Sequence, residues 1–137
     1  MVKEAGFGKN EKLKSRKLVE GIFATGKSLN VFPIRVLYKF LLLEPDEKPL
    51  MQVGVSVSKK NFKHAVDRNR VKRILRETYR LQKKELIELL KEQRKKGYAF
   101  FIYTDKQLPE YQNVFDTMTK CLDILKRKVG AFNEDVS

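Results

Sequence analysis

A chain of 137 residues, 42% of them apolar and including nine Phe and five Tyr, is long enough for one domain with its own core. A single cysteine, Cys121, and a single histidine, His64, exclude an internal disulfide framework and a cysteine-based zinc cluster. Thirty Lys and Arg against seventeen Asp and Glu leave a net charge of +13, a field that attracts a polyanion.

The chain is read as one unit, 1–137, with flexible ends at 1–11 and 131–137. Met1 to Phe7 contains no apolar run of the kind that directs secretion, and Arg35 and Lys39 interrupt the longest apolar stretch, Val31 to Leu43. A cytoplasmic protein without a membrane span is therefore expected. Lys12 to Ala24 reads as a helix with Leu13, Val19, Ile22 and Phe23 apolar and Gly26 beyond its end. Asn30 to Leu43 reads as a strand, Ile34, Val36, Tyr38, Phe40 and Leu42 on one face and Arg35 and Lys39 on the other; residues around Ser28 to Phe32 could pair separately. After the turn Pro45-Asp46-Glu47-Lys48-Pro49, Leu50 to Ser58 alternates Met51, Val53, Val55 and Val57, and the two strands read as an antiparallel hairpin. Lys59 to Lys63 is a loop, Ala65 to Lys83 a helix, and Glu85 to Lys95 a second helix that Gly97 would stop. Tyr98 to Tyr103 is a nearly continuous apolar strand suited to the centre of a sheet. Glu110 to Val129 completes the chain as a helix with Val114, Met118, Cys121, Leu122 and Leu125 inward and Gly130 at its end. The order α-β-β-β-α-α-β-α gives helices packed on a small mixed sheet.

The positive charge is concentrated. Residues 59–84 hold eleven basic and two acidic groups, a net +9, whereas residues 85–137 hold nine of each. At about 100° per residue, Arg68, Lys72, Arg76, Asn69, Arg80 and Arg73 fall within an arc of about 140°, and Val71, Ile74 and Leu75 lie opposite. Like charges four residues apart repel by a few tenths of a kcal/mol per pair, a cost that a bound anion removes. Arginine outnumbers lysine on the arc, which suits bidentate contacts to phosphate. Asp67 is a candidate cap, Glu77 an intrahelical partner for Arg73 or Arg80, and Asn69 a hydrogen-bonding group within the cationic arc.

Lys59-Lys60, Ala65-Val66, Arg68-Asn69-Arg70-Val71-Lys72-Arg73 and Arg76-Glu77 resemble the signature of the bacterial ribonuclease P protein subunit. Val53 to Ser58 resembles the strand that leads into it, and the likeness extends from about Leu13 to Lys128. The chain departs from the common pattern twice. Asn61-Phe62-Lys63-His64 is one residue longer than usual, and Val19 stands where many relatives carry an aromatic. The resemblance implies an α+β, single-domain α-β sandwich of the ribonuclease P protein / ribosomal S5 domain 2-like type, with a left-handed βαβ crossover. It implies an RNA subunit that is the catalyst and uses Mg2+, with no cofactor bound by the protein. The protein would be a monomer without RNA, with the RNA subunit and precursor tRNA as partners and no role for DNA or a membrane. Carried over, the RNA-binding group is Lys59, Lys60, Arg68, Asn69, Arg70, Lys72, Arg73, Arg76 and Arg80. The cleft for the 5′ leader would use Arg16, Lys17, Phe23 and Tyr38, an aromatic and cationic set suited to single-stranded RNA.

Other readings compete with this one. A ribosomal-protein-like RNA binder shares the size, charge and layers and lacks only the signature. A helix-turn-helix protein needs a short helix just before the basic one, where this chain has strands. An autonomous nuclease is disfavoured because His64 lies in a basic loop, Cys121 lies on an apolar stripe, and no metal motif surrounds Asp105, Glu110, Asp116 or Asp123.

Overall fold

The structure, a computed structural model, describes residues 26–135. The expected first helix, 12–24, lies outside them. Four strands form one sheet: β1 (Lys27–Val31), β2 (Ile34–Leu42), β3 (Met51–Val57) and β4 (Lys95–Tyr103). Three helices accompany it: α1 (Ala65–Gln82), α2 (Lys84–Gln93) and α3 (Tyr111–Asp135). The strand order is β1-β2-β4-β3, with β1–β2 and β2–β4 antiparallel and β3–β4 parallel.

The expected hairpin between the second and third strands is therefore not formed. The alternation of Met51, Val53 and Val57 identifies the buried face of β3, but not its neighbour. β4, buried at every second residue and at least half-buried along its length, takes the central place and pairs on both edges. The connection through Pro45 and Pro49 instead carries the chain past the slot that β4 fills. Glu47 ties this connection down by accepting from the Glu44 amide and pairing with Lys96 on β4. That ion pair raises the Lys96 pKa, and its hydrogen bond holds the Glu47 carboxyl below its usual range. The long first strand is in fact two, joined by a turn at Phe32–Pro33, which contains a cis peptide bond.

All three helices lie on one face of the sheet. Ile34, Val36, Tyr38 and Phe40 of β2, Met51 and Val53 of β3, and Ala99 and Phe101 of β4 meet Val71, Leu75 and Tyr79 of α1, Leu86 and Leu90 of α2, and Val114, Met118, Cys121 and Leu125 of α3. Burying each such large side chain contributes roughly 1.5–3 kcal/mol. The Tyr79 and Phe101 rings sit 5.7 Å apart at the centre. On the other face Leu37 packs with Tyr98, Phe100 and Ile102. Burial pushes the Cys121 thiol up to about 12, so it is protonated and unreactive at neutral pH.

Helix ends differ from expectation at two glycines. Arg94, at φ 52°, ends α2, its amide donating back to the Leu90 and Lys91 carbonyls; Gly97 lies inside β4. A left-handed residue is needed at that helix end, and a non-glycine residue fills it at a modest cost. α3 runs through Gly130 to Asp135 instead of ending at the glycine. The buried Lys95 ammonium donates to the Val129 carbonyl at 2.6 Å, which holds α3 at Val129 against β4.

Gly97 has a steric role. A Cβ there would lie 2.7 Å from Met51 Sδ and 2.7 Å from the Phe40 ring, the residues paired with it on either side. We expect Gly97→Ala to cost about 1–3 kcal/mol through overpacking. Gly130→Ala, whose methyl would meet only Gln93 Nε2 at 3.9 Å, should be neutral or stabilising by up to about 1 kcal/mol. Urea midpoints of the two variants at unchanged m-value check the contrast.

Candidate nucleic-acid interface

The basic helix begins where β3 and its loop end. Ser58 organises the loop: its carbonyl accepts from the Asn61 and Phe62 amides at 3.2 Å, and its hydroxyl accepts from the Lys60 amide at 3.0 Å. Lys59 and Lys60 are left exposed. Phe62 in this loop is turned inward, where its ring lies 6.1 Å from that of Tyr103. Burial, with Asp105 nearby, pushes the Tyr103 hydroxyl up to about 12, and that hydroxyl donates to the Gln107 carbonyl.

His64 occupies the N-cap with extended backbone and makes no side-chain cap bond. Asp67 is therefore not the cap. The first i→i−4 bond, from the Arg68 amide to the His64 carbonyl, starts the helix three residues before the position Asp67 would need. Asp67 lies in the first turn, where its charge still favours the helix dipole.

Val71, Ile74, Leu75, Thr78 and Tyr79 are the buried side of α1. The opposite side exposes Asn69, Arg70 and Arg73, flanked by half-buried Lys72, Arg76 and Arg80. Lys59 and Lys60, exposed in the loop that precedes α1, add to its positive charge. Glu77 pairs with Arg80 at 3.4 Å, as the spacing allows, and both groups are solvated enough that the pair contributes at most about 1 kcal/mol.

Two residues are placed differently from the sequence expectation. Arg68 does not point along the exposed arc. Its Nη1 donates to the carbonyls of Phe62 at 2.8 Å and Lys63 at 2.9 Å, so it clamps the loop that carries Lys59 and Lys60. Tyr38 is 3% exposed in the main core, its ring 5.7 Å from Phe40, and offers no open face to a base. The reason is the register: Tyr38 shares the helix-covered face of β2 with Val36 and Phe40. The other cleft residues, Arg16, Lys17 and Phe23, lie outside the described residues. Sequence reasoning missed Asn61, whose Nδ2 donates to the Thr104 carbonyl at 3.3 Å and ties the basic loop to the end of β4. Among the described residues no group of three or more His, Cys, Asp or Glu could hold a metal ion, and no helix is long and apolar enough to cross a membrane.

Fold and face together define a small basic α+β protein with one arginine-dense helix face. A family model described as Ribonuclease P matches residues 7–128. The ribonuclease P protein component of Porphyromonas gingivalis is 38% identical over 117 residues, covering 85% of this chain and 84% of the relative. That of Borrelia turicatae is 32% identical over 123 residues, covering 88% of this chain and 97% of the relative. The solved ribonuclease P protein of Thermotoga maritima superposes with a TM-score of 0.60 at 25% identity, covering 85% of this chain and 96% of that one. One from Staphylococcus aureus has the same fold, with a TM-score of 0.64 at 21% identity over 86% of this chain and 97% of that one. The chain belongs to the ribonuclease P protein family, whose members are the protein components of a tRNA-processing ribonucleoprotein.

Two pairs of variants test this division of labour. Arg73→Ala, on the exposed arc, should leave the melting temperature unchanged and lower the salt slope of RNA binding by about one. Arg68→Ala should instead cost about 1–2 kcal/mol of stability by releasing the loop, with a smaller change in slope. Tyr38→Ala should remove about 3 kcal/mol or more by opening a cavity, whereas Tyr38→Phe should retain most of the stability. Thermal melts and filter-binding titrations across a salt series give all four results.

Proposed function

We propose that this chain binds the RNA subunit of ribonuclease P through the exposed arc of α1 and the adjoining lysine loop, and thereby assists removal of the 5′ leader from precursor tRNA. The observation that carries the reading is the arc itself. Asn69, Arg70, Lys72, Arg73 and Arg76 line one side of a helix whose other side is buried, and no carboxylate except Glu77 lies among them. In this reading the RNA is the catalyst and Mg2+ its metal, the protein is a cytoplasmic monomer until it meets RNA, and no catalytic side chain is required of it. Residues Arg16, Lys17 and Phe23 hold the leader in this reading.

The phosphate grip sets the expected physics. Guanidinium groups on a fixed helix replace condensed counterions, and each neutralised phosphate adds to the salt dependence. Affinity for the RNA subunit should fall on the order of a hundredfold between 50 and 200 mM monovalent salt. Cleavage of precursor tRNA at low Mg2+ should require the mixture of protein and RNA subunit. Equal cleavage by the protein alone, or a flat salt response, would sink the reading.

A further inference from the structure

All four strands end on one edge of the molecule. Val31, Ile34, Tyr103 and Val57 form the last paired row across β1-β2-β4-β3. Three connections project beyond that row: the turn Phe32–Pro33, the segment Thr104–Lys106, and the loop from Ser58 to His64. They are bonded to one another. The Thr104 amide and hydroxyl donate to the Pro33 carbonyl at 2.8 and 3.0 Å, and Asn61 Nδ2 donates to the Thr104 carbonyl at 3.3 Å. The turn that carries Phe32 is thus fixed to the loop that carries Lys59 and Lys60. Two strand spacings of about 4.8 Å separate the β2 and β3 ends, roughly 10 Å in all.

Phe32 is 72% exposed at the tip of this edge. Lys59, Lys60, Lys63 and Lys106, on the other two connections of the same edge, are exposed, as is Arg35 one row back on β2. The one carboxylate among the described residues of these connections, Asp105, is engaged by the Lys106 amide at 2.7 Å. An apolar protein partner would want more than one ring here and would have to desolvate four lysines. A nucleotide matches the chemistry as it stands, with a flat base for the phenyl ring and a phosphate for the lysines.

We propose that Phe32 stacks on an unpaired RNA base and extends the nucleic-acid interface from α1 across the strand-end edge; this rests on the RNA-binding reading above. Phe32 is a positioning and affinity contact, and it takes no part in the cleavage chemistry.

The full chain contains no tryptophan, so Phe32→Trp places a single indole reporter at the tip. The RNA subunit is titrated into this variant first, then precursor tRNA into the assembled complex, with mature tRNA in parallel. Quenching on the first addition assigns the base to the RNA subunit; quenching only with precursor tRNA assigns it to the leader. Phe32→Ala should weaken the same step roughly five- to a hundredfold, with unchanged circular dichroism and melting temperature. Full binding of Phe32→Trp with no quenching at either step, while Arg73→Ala still weakens the RNA subunit, overturns the proposal and leaves the reading of α1 intact. If the wild-type protein does not bind the RNA subunit at all, that reading falls and this proposal with it.

Discussion

β4 enters the sheet between two strands that precede it in the chain, and the space for it depends on a missing side chain. Gly97 passes between Phe40 and Met51 where even a methyl would collide with both. Along its length β4 pairs with nine residues of β2 and, from Gly97 onward, with seven of β3, and these two ladders are what place α1 and the edge loops. The cationic face is therefore held from behind by long-range pairing rather than by the helix's own propensity. Helices gain most of their stability from packing an apolar side, and α1 has Val71, Leu75 and Tyr79 for that purpose.

The same support explains how the molecule tolerates its charge pattern. Repulsion between Arg and Lys at helical spacing is small per pair, whereas each fully buried apolar residue beneath contributes several times more. The exposed arc can then be specified almost entirely for a ligand. Charge on the face divides into two kinds. Arg70 and Arg73 face solvent, and Arg68 is used to hold the Phe62 and Lys63 carbonyls. One guanidinium group therefore sets the path of the loop that displays two ammonium groups.

Much of this was legible in the sequence where the physics is local. The helix at Ala65, the buried alternation of β3 and the central character of Tyr98 to Tyr103 follow from the spacing of apolar residues along a few turns or a few pleats. Strand neighbours were not legible, because alternation reports which face is buried and carries no record of which backbone lies alongside. Gly97 read as a helix stop for the same reason: its colliding partners are 57 and 46 positions away in the chain. The candidate site divides in the same way. The arc of α1 follows from helical geometry, whereas the roles of Arg68, Asn61 and Phe32 depend on carbonyls and loops brought together only by the completed sheet. Tyr38 could be placed on a face but not assigned to core or cleft until the helices covering that face were known.

The insertion of β4 also orders events during synthesis. β2 and β3 share no ladder, so among the described residues the first half of the chain closes only the β1–β2 hairpin. The basic helix leaves the ribosome before the strand that seats it, and non-local parallel pairing of this kind is intrinsically slow. In that interval α1 has its full charge and no sheet behind it. The ribosome is itself an RNA surface, so this chain order sets the basic segment 59–84 beside a polyanion before residues 95–103 can seat its apolar side.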